Sequence, residues 1–166
     1  MLIILSGPPG SGKTTIAEKL ALMFPKSVSF SMDTITQFIK GGNLPPWDTS
    51  KTAKQQHKLS DSIAKNIIAQ YLKNKYVVVL NGIYSDMDIK NFRKDFNDVR
   101  GFMLLPNLTV TQHRDKQRPK DQQVPERVKV LHKYFTNTEF KNFEIIDSTD
   151  YTISQTLKVI LKLLQI

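Results

Sequence analysis

Apolar residues along this chain alternate between two patterns, short β-prone runs and longer stretches at helical spacing. Leu2-Ile3-Ile4-Leu5 is a compact apolar run that predicts a buried strand. Beyond a glycine-rich segment, Ile16, Leu20 and Phe24 recur at helical steps with Ala17 and Ala21 between them. Ser27 to Ser31 alternates around Val28 and Phe30 and predicts a second strand, ended by Met32 and Asp33. Thr34 to Lys40 predicts a helix with Ile35, Phe38 and Ile39 inward, stopped by Gly41-Gly42. Asn43 to Ser50 carries Pro45-Pro46-Trp47-Asp48 and predicts a loop. From about Lys51 to Lys73 the spacing predicts a long helix, with Leu59, Ile63, Ile67 and Tyr71 four apart and Ala64, Ile68 and Leu72 beside them.

The second half repeats the alternation. Tyr76-Val-Val-Val-Leu80 is a continuous β-branched run, expected of a strand buried on both faces and ended by Asn81-Gly82. A helix follows over about Asp86 to Phe96, then a strand over Gly101 to Leu105, broken by Pro106-Asn107. Thr109 to about Gln117 predicts a helix ended by Pro119, and Lys120 to Val124 is a polar, mobile-looking stretch. Pro125, at the favoured first-turn position, opens a helix carrying Val128, Leu131, His132 and Phe135. Phe143 to Ile146 is a fifth strand, ended by Asp147-Ser148-Thr149. Thr152 and Gln155 fit a capping box that opens a last helix, with Ile153, Leu157, Ile160, Leu161 and Leu164 inward.

Five strands alternating with helices imply a parallel sheet covered on both faces. The expectation is an α/β fold, a three-layer α/β/α sandwich with a five-stranded parallel sheet, in one domain over residues 1–166. Ligands of such sheets sit beyond the carboxyl ends of the strands. That edge collects Gly7 to Thr15, Asp33, Asn81-Gly82, Pro106-Asn107 and Asp147 to Thr149.

The segment between the first strand and the first helix carries the most specific chemistry. Gly7-Pro8-Pro9-Gly10-Ser11-Gly12-Lys13-Thr14-Thr15 fits the phosphate-binding loop pattern G-x-x-x-x-G-K-[ST]. Glycines let such a loop turn its N–H groups inward as an anion nest, and the helix start adds unpaired N–H groups and a positive dipole end. Lys13 is expected to reach the β- and γ-phosphates of a bound nucleotide, and the Thr14 hydroxyl to hold Mg²⁺. Asp33, the next acid in the chain, suits a carboxylate that accepts a hydroxyl proton in phosphoryl transfer or orients the substrate; it could equally cap the helix beginning at Thr34. Asn81 stands at the end of the third strand, where many nucleotide-binding enzymes of this loop type place a metal-supporting carboxylate. It can orient water or substrate, or serve only the turn. Arg114 and Arg118 are four apart on one helical face, and Arg127 follows the polar stretch. Together they suit a lid over about residues 107–127 whose guanidinium groups meet the transferring phosphoryl group, or a solvated face. Trp47 suits a wall of an acceptor pocket or a hydrophobic plug.

Composition narrows this picture only modestly. The 166 residues include 24 basic and 15 acidic ones, for a net charge of +9. Nineteen of the basic residues are scattered lysines, and the five arginines fall between Arg93 and Arg127, which favours a solvated lysine surface with arginines reserved for phosphates. Cysteine is absent, which excludes disulfides and thiolate metal sites. His57, His113 and His132 share no ligand-like spacing. The apolar start is too short for a signal peptide or a membrane span, and a cytoplasmic protein is expected.

With these residues in place, the chain resembles the small P-loop kinases, the group with the P-loop NTPase fold that contains chloramphenicol phosphotransferase, gluconate kinase, shikimate kinase and adenylate kinase, and above all poorly characterised bacterial members of it. The resemblance rests on Gly7 to Thr15, Asp33, the Gly-Gly-x-x-x-Pro-Trp segment from Gly41 to Trp47, Val77 to Leu80, His113-Arg-Asp-Lys-Gln-Arg-Pro119, Pro125-Glu-Arg-Val128 and Ile146-Asp-Ser-Thr149. It implies ATP- and Mg²⁺-dependent phosphorylation of a small hydroxylated molecule, with Asp33 as base or anchor and Arg114 and Arg118 in the lid. Asn81 departs from the carboxylate that relatives often carry there. Two other functions fit the same residues. One is a kinase for the 5′-hydroxyl of a nucleic acid, suggested by the charge. The other is a nucleotide-binding regulatory protein with weak ATPase activity, suggested by Asn81. The expected partner is a small-molecule acceptor, with the protein a monomer or homodimer away from membranes.

Overall fold

The computed structural model describes residues 1–45 and 47–166. Pro46, read above as part of the proline-rich loop, lies outside them. Five strands form one parallel sheet: β1 (Leu2–Ser6), β2 (Ser27–Ser31), β3 (Val77–Asn81), β4 (Val99–Leu104) and β5 (Glu144–Ile146). Their order is β2-β3-β1-β4-β5, with β1 central between β3 and β4. The helices are α1 (Lys13–Ala21), α2 (Met32–Thr36), α3 (Lys51–Lys73), α4 (Asp86–Asp95), α5 (Leu108–Lys116), α6 (Pro125–Asn137) and α7 (Ile153–Leu164), with a 3-10 turn at Lys120–Gln122. The sandwich expected from the alternation is the one observed.

Strand alternation divides the core in two. Leu2, Ile4, Val78 and Leu80 point to one face, where Ile68 of α3, Ile89 and Phe92 of α4 and Phe135 of α6 cover them. Ile3, Leu5, Val79, Phe102 and Leu104 point to the other, covered by Ile16 and Leu20 of α1 and Ile160 and Leu164 of α7. Every residue of β1 is buried, as a central parallel strand requires. Because β1 ends at Ser6, the glycine-rich loop leaves the middle of the sheet at its carboxyl edge.

Three details differ from the sequence pattern. The helix expected over Thr34 to Lys40 is a shorter α2, Met32–Thr36, and Phe38 is exposed rather than inward. Helix α3 has the expected bounds but presents Ala53, Ser60, Ala64 and Ile68 to the core, while Leu59, Ile63 and Tyr71 face outward. Small residues let α3 lie close to the sheet, so the stripe of larger apolar residues was a misleading guide to its buried face. In α7 the capping box between Thr152 and Gln155 is present, but Ile153 is exposed and Thr156 is buried.

Candidate active site

The loop from Gly7 to Gly12 is shaped by close backbone approaches. Gly7, at φ 142°, would place a Cβ 2.2 Å from the Leu104 carbonyl oxygen, and Gly10, at φ 79°, would place one 2.3 Å from that of Thr111. Neither position admits a side chain, so the loop is held against the ends of β4 and α5 by its glycines. Pro9 and Gly10 form a turn, and the Ser11 N–H donates to the Pro8 carbonyl at 3.2 Å. Gly12 enters α1 in the left-handed conformation, and no side chain caps that helix. The first N–H groups of α1 are therefore free for an anion.

Lys13 folds back over the loop, donating to the Pro8 carbonyl at 2.8 Å and more weakly to Ser11 Oγ at 3.5 Å. Desolvation is the main cause that pushes its ammonium down to about 7; the Arg118 charge adds to the fall, and Asp33 opposes it. These causes place Lys13, Arg118 and Asp33 in one electrostatic neighbourhood. Arg114 donates to the Ser11 carbonyl at 3.5 Å and stands over Gly12. Lys13, Arg114 and Arg118 thus lie together beside the loop, with Asp33 near Lys13 and Asp115 paired to Arg118.

Asp33 lies within the first turn of α2 and does not cap it. Ser31 is the N-cap, accepting from the Thr34 N–H at 3.3 Å. Capping therefore leaves the exposed Asp33 carboxylate free for other work. Thr14 and Thr15 are exposed in the first turn of α1. The Thr14 hydroxyl donates to Asn81 Oδ1 at 3.4 Å, and Asn81 Nδ2 donates to the Phe30 carbonyl at 3.3 Å. Asn81 is buried, at 4% exposure, and bridges β2, β3 and α1. Its neutrality suits that position, since a carboxylate there would face the Phe30 carbonyl without a proton to offer. Among the described residues no group of three or more His, Asp or Glu side chains is arranged to hold a metal. A nucleotide-bound metal ion would depend on the Thr14 hydroxyl.

Trp47 and Arg127 meet each other. The guanidinium lies over the indole, 4.7 Å from its centroid, joining the segment between α2 and α3 to the start of α6. Gln56 fastens the same loop to α3, donating to the Gly42 carbonyl at 2.7 Å and accepting from the Leu44 N–H at 3.1 Å. The stretch between α5 and α6 is fastened likewise. Buried Asp115 accepts from the Val124 N–H at 3.0 Å and from Arg118 at 3.4 Å, and Gln123 donates to the Lys116 and Arg118 carbonyls. In the turn after β5, Asp147 holds Thr149, whose hydroxyl accepts from the Asn107 N–H at 2.8 Å.

Sequence reasoning passed over Asp115 and Gln123 as site-shaping residues. Both act on backbone groups across loops, and no motif marks such contacts. It also passed over Tyr84. The Tyr84 main chain exchanges hydrogen bonds with the Ser6 hydroxyl, at 2.8 and 2.9 Å, while its own hydroxyl is buried without a partner.

A scan of protein families matches residues 2–133 to the model described as AAA domain. No curated protein matches the chain in sequence. Among solved structures, a sugar kinase from Janibacter matches with a TM-score of 0.73 at 14% identity, covering 99% of this chain and 94% of that one. The tunicamycin resistance protein of Deinococcus radiodurans gives 0.68 at 20% identity, over 98% and 94%. Shikimate kinase from Acinetobacter baumannii, solved with shikimate, gives 0.63 at 20% identity, over 99% and 92%. At these identities the structural likeness establishes the shared fold. No described helix is long and apolar enough to cross a membrane.

Proposed function

The chain belongs to the AAA domain family, a nucleotide-binding P-loop family, and from that premise we propose a phosphotransferase that moves the γ-phosphoryl group of ATP to a hydroxyl of a small molecule. The observation that carries the reading is the convergence of Lys13, Arg118 and Arg114 on the loop, with Asp33 near Lys13 and not engaged as a cap. Kinase likenesses with near-complete coverage on both sides support it.

In this mechanism the N–H groups at the start of α1 and the Lys13 ammonium hold the β- and γ-phosphates. Thr14 would hold Mg²⁺, which when bound neutralises phosphate charge and helps orient the chain for in-line attack. The acceptor oxygen forms the new bond to the γ-phosphorus. The bond from that phosphorus to the bridging oxygen breaks, and ADP leaves with its electron pair. The hydroxyl proton passes to the Asp33 carboxylate. Arg114 and Arg118 meet the charge spread over the equatorial oxygens.

Asp33→Asn separates chemistry from binding. Nucleotide affinity should stay near the parent value while acceptor-dependent transfer falls by about 10² to 10⁴. Transfer at the parental rate would reduce Asp33 to a bystander in α2. ATP consumption that no acceptor stimulates would favour the regulatory reading instead, and consumption stimulated by an oligonucleotide with steep salt dependence would favour the nucleic-acid one.

A further inference from the structure

A cavity of about 680 Å³ opens between α3 and α4, within the range of small-molecule sites. Its position follows from topology. Helix α3 runs back from the carboxyl edge of the sheet towards the start of β3, and α4 leaves that edge after β3. Residues early in both helices therefore lie towards the same edge of the sheet as the phosphate loop. At that end the cavity is lined by Met32, next to Asp33, and by Tyr84. Charged residues line its length: Asp61 and Lys58 of α3, Asp88 of α4 and, deeper, the ion pair between Lys65 and Asp95.

Tyr84 supplies an observation independent of the carboxylates. It is 7% exposed, and its hydroxyl has no hydrogen-bond partner. The hydroxyl end packs beneath Gly82, where an added Cβ would fall 2.8–3.0 Å from it. Burial pushes the phenol well above its usual range, and the charges of Asp33, Asp61 and Asp88 add to the rise. A buried phenol in its neutral form is a proton donor with nothing to receive the proton, an arrangement proteins rarely leave uncompensated. Asp61, meanwhile, makes no hydrogen bond or ion pair among the described residues, and Asp88 spends one oxygen on capping α4 through Ser85. The cavity thus offers both donors and acceptors, with three carboxylates against two ammonium groups. No arginine lines it. Arg127 is stacked on Trp47, Arg114 stands over the loop and Arg118 is paired with Asp115.

We propose that this cavity receives the acceptor, and that it selects a neutral or amine-bearing polyol over a carboxylic acid or phosphate ester. The term acceptor rests on the phosphotransfer reading above; the ligand class rests on the cavity alone. A ligand hydroxyl oxygen accepts from the Lys58 ammonium, which lines the cavity. Ligand O–H or N–H⁺ groups donate to Asp61 and to the free oxygen of Asp88. The hydroxyl nearest Asp33 faces the nucleotide. An acid would meet two carboxylates without ion-pair partners among the described residues, Asp61 and Asp88, against the one such ammonium of the lining, Lys58.

The test uses the full chain and a panel of amino sugars, aminoglycosides, sugars, uronic acids, hydroxy acids and sugar phosphates, read by ATP consumption and, without ATP, by calorimetric binding. Neutral or amine members should be preferred over their acid counterparts by about tenfold or more, as loss of a charge-assisted hydrogen bond implies. Asp61→Asn should erase that preference. Ser62→Trp, which fills the cavity from an exposed position, should abolish acceptor binding and leave nucleotide binding intact. Preference for acids or phosphates, or unchanged acceptor binding in Ser62→Trp, overturns the assignment while leaving phosphotransfer standing. Amine binding that Asp61→Asn removes, without ATP consumption by any compound, upholds the cavity and overturns phosphotransfer. A panel with no neutral or amine binder overturns the cavity assignment.

Discussion

Nucleotide binding should draw a proton from solution, because Lys13 in the empty protein sits at about 7. At pH 8, one unit above that value, about nine-tenths of empty molecules carry a neutral Lys13. A phosphate oxygen about 4 Å from the ammonium contributes roughly 4 kcal/mol at an effective dielectric of 20, about three pKa units, which returns Lys13 towards its ordinary range. Binding at pH 8 should therefore take up about 0.9 proton per nucleotide through this group, against about 0.1 at pH 6. The assay is titration calorimetry with a non-hydrolysable ATP analogue at pH 8, in buffers of different ionisation enthalpy. The slope of observed enthalpy against ionisation enthalpy is the proton count. The same linkage makes the dissociation constant rise about tenfold per pH unit above 7. Since the Arg118 charge helps lower Lys13, Arg118→Gln should reduce the uptake at pH 8. A slope near zero at pH 8, with affinity flat from pH 6 to 9, would refute the account of Lys13 as a desolvated lysine pressed by a neighbouring arginine.

The depressed value also sets the pH dependence of stability. Between about 7 and 10.5 the unfolded chain binds more protons at this group than the folded one, so its contribution to stability rises with pH. Lys13→Met should accordingly melt higher than the parent at pH 6, with the gap narrowing towards pH 10, in thermal scans without nucleotide. Asp115→Ala leaves the Val124 N–H without its buried acceptor, which should cost about 1–3 kcal/mol, a Tm lower by roughly 3–10 °C. Limited proteolysis should then cut first between residues 117 and 124. Asn81→Asp exchanges a donor to the Phe30 carbonyl for a carboxylate, so the empty protein should lose a similar amount. Titration should show a lower Mg²⁺ requirement for nucleotide binding in that variant, and an unchanged requirement would place residue 81 outside the metal's influence.

The parts of this molecule that could be read from the chain are those fixed by local patterns. The bounds of β2 and α3, the capping box at Thr152 and the placement of the glycine loop follow from alternation, spacing and turn chemistry, which act within a few residues. The inward face of α3 could not be chosen from spacing, because burial there is decided by how near the helix lies to the sheet. Ala53, Ser60 and Ala64 allow the approach, and Leu59 and Ile63 are carried outward by it. Phe38 was misread because α2 stops after five residues and no longer presents that side chain inward. Lys13 and Thr14 could be singled out as candidates from motif. Tyr84, Asp61 and Asp88 could not, because they come from two helices and a turn that only the folded sheet brings around one cavity.

The two halves of the site carry opposite charge, and that contrast bears on how it works. On the nucleotide side Lys13, Arg114 and Arg118 outnumber Asp33 and Asp115, and among the described residues Asp33 is the carboxylate there without an ion pair. On the other side three carboxylates outnumber two ammonium groups. Asp33 stands between them, acting on both Lys13 and Tyr84. A second carboxylate at residue 81 would weaken the positive half by one charge and oppose the Phe30 carbonyl. Asn81 keeps the bridge between Thr14 and β2 without that loss. The neutrality of Asn81, which from sequence alone counted against catalysis, is in the folded protein consistent with a site that leaves charge compensation to the nucleotide and its metal ion.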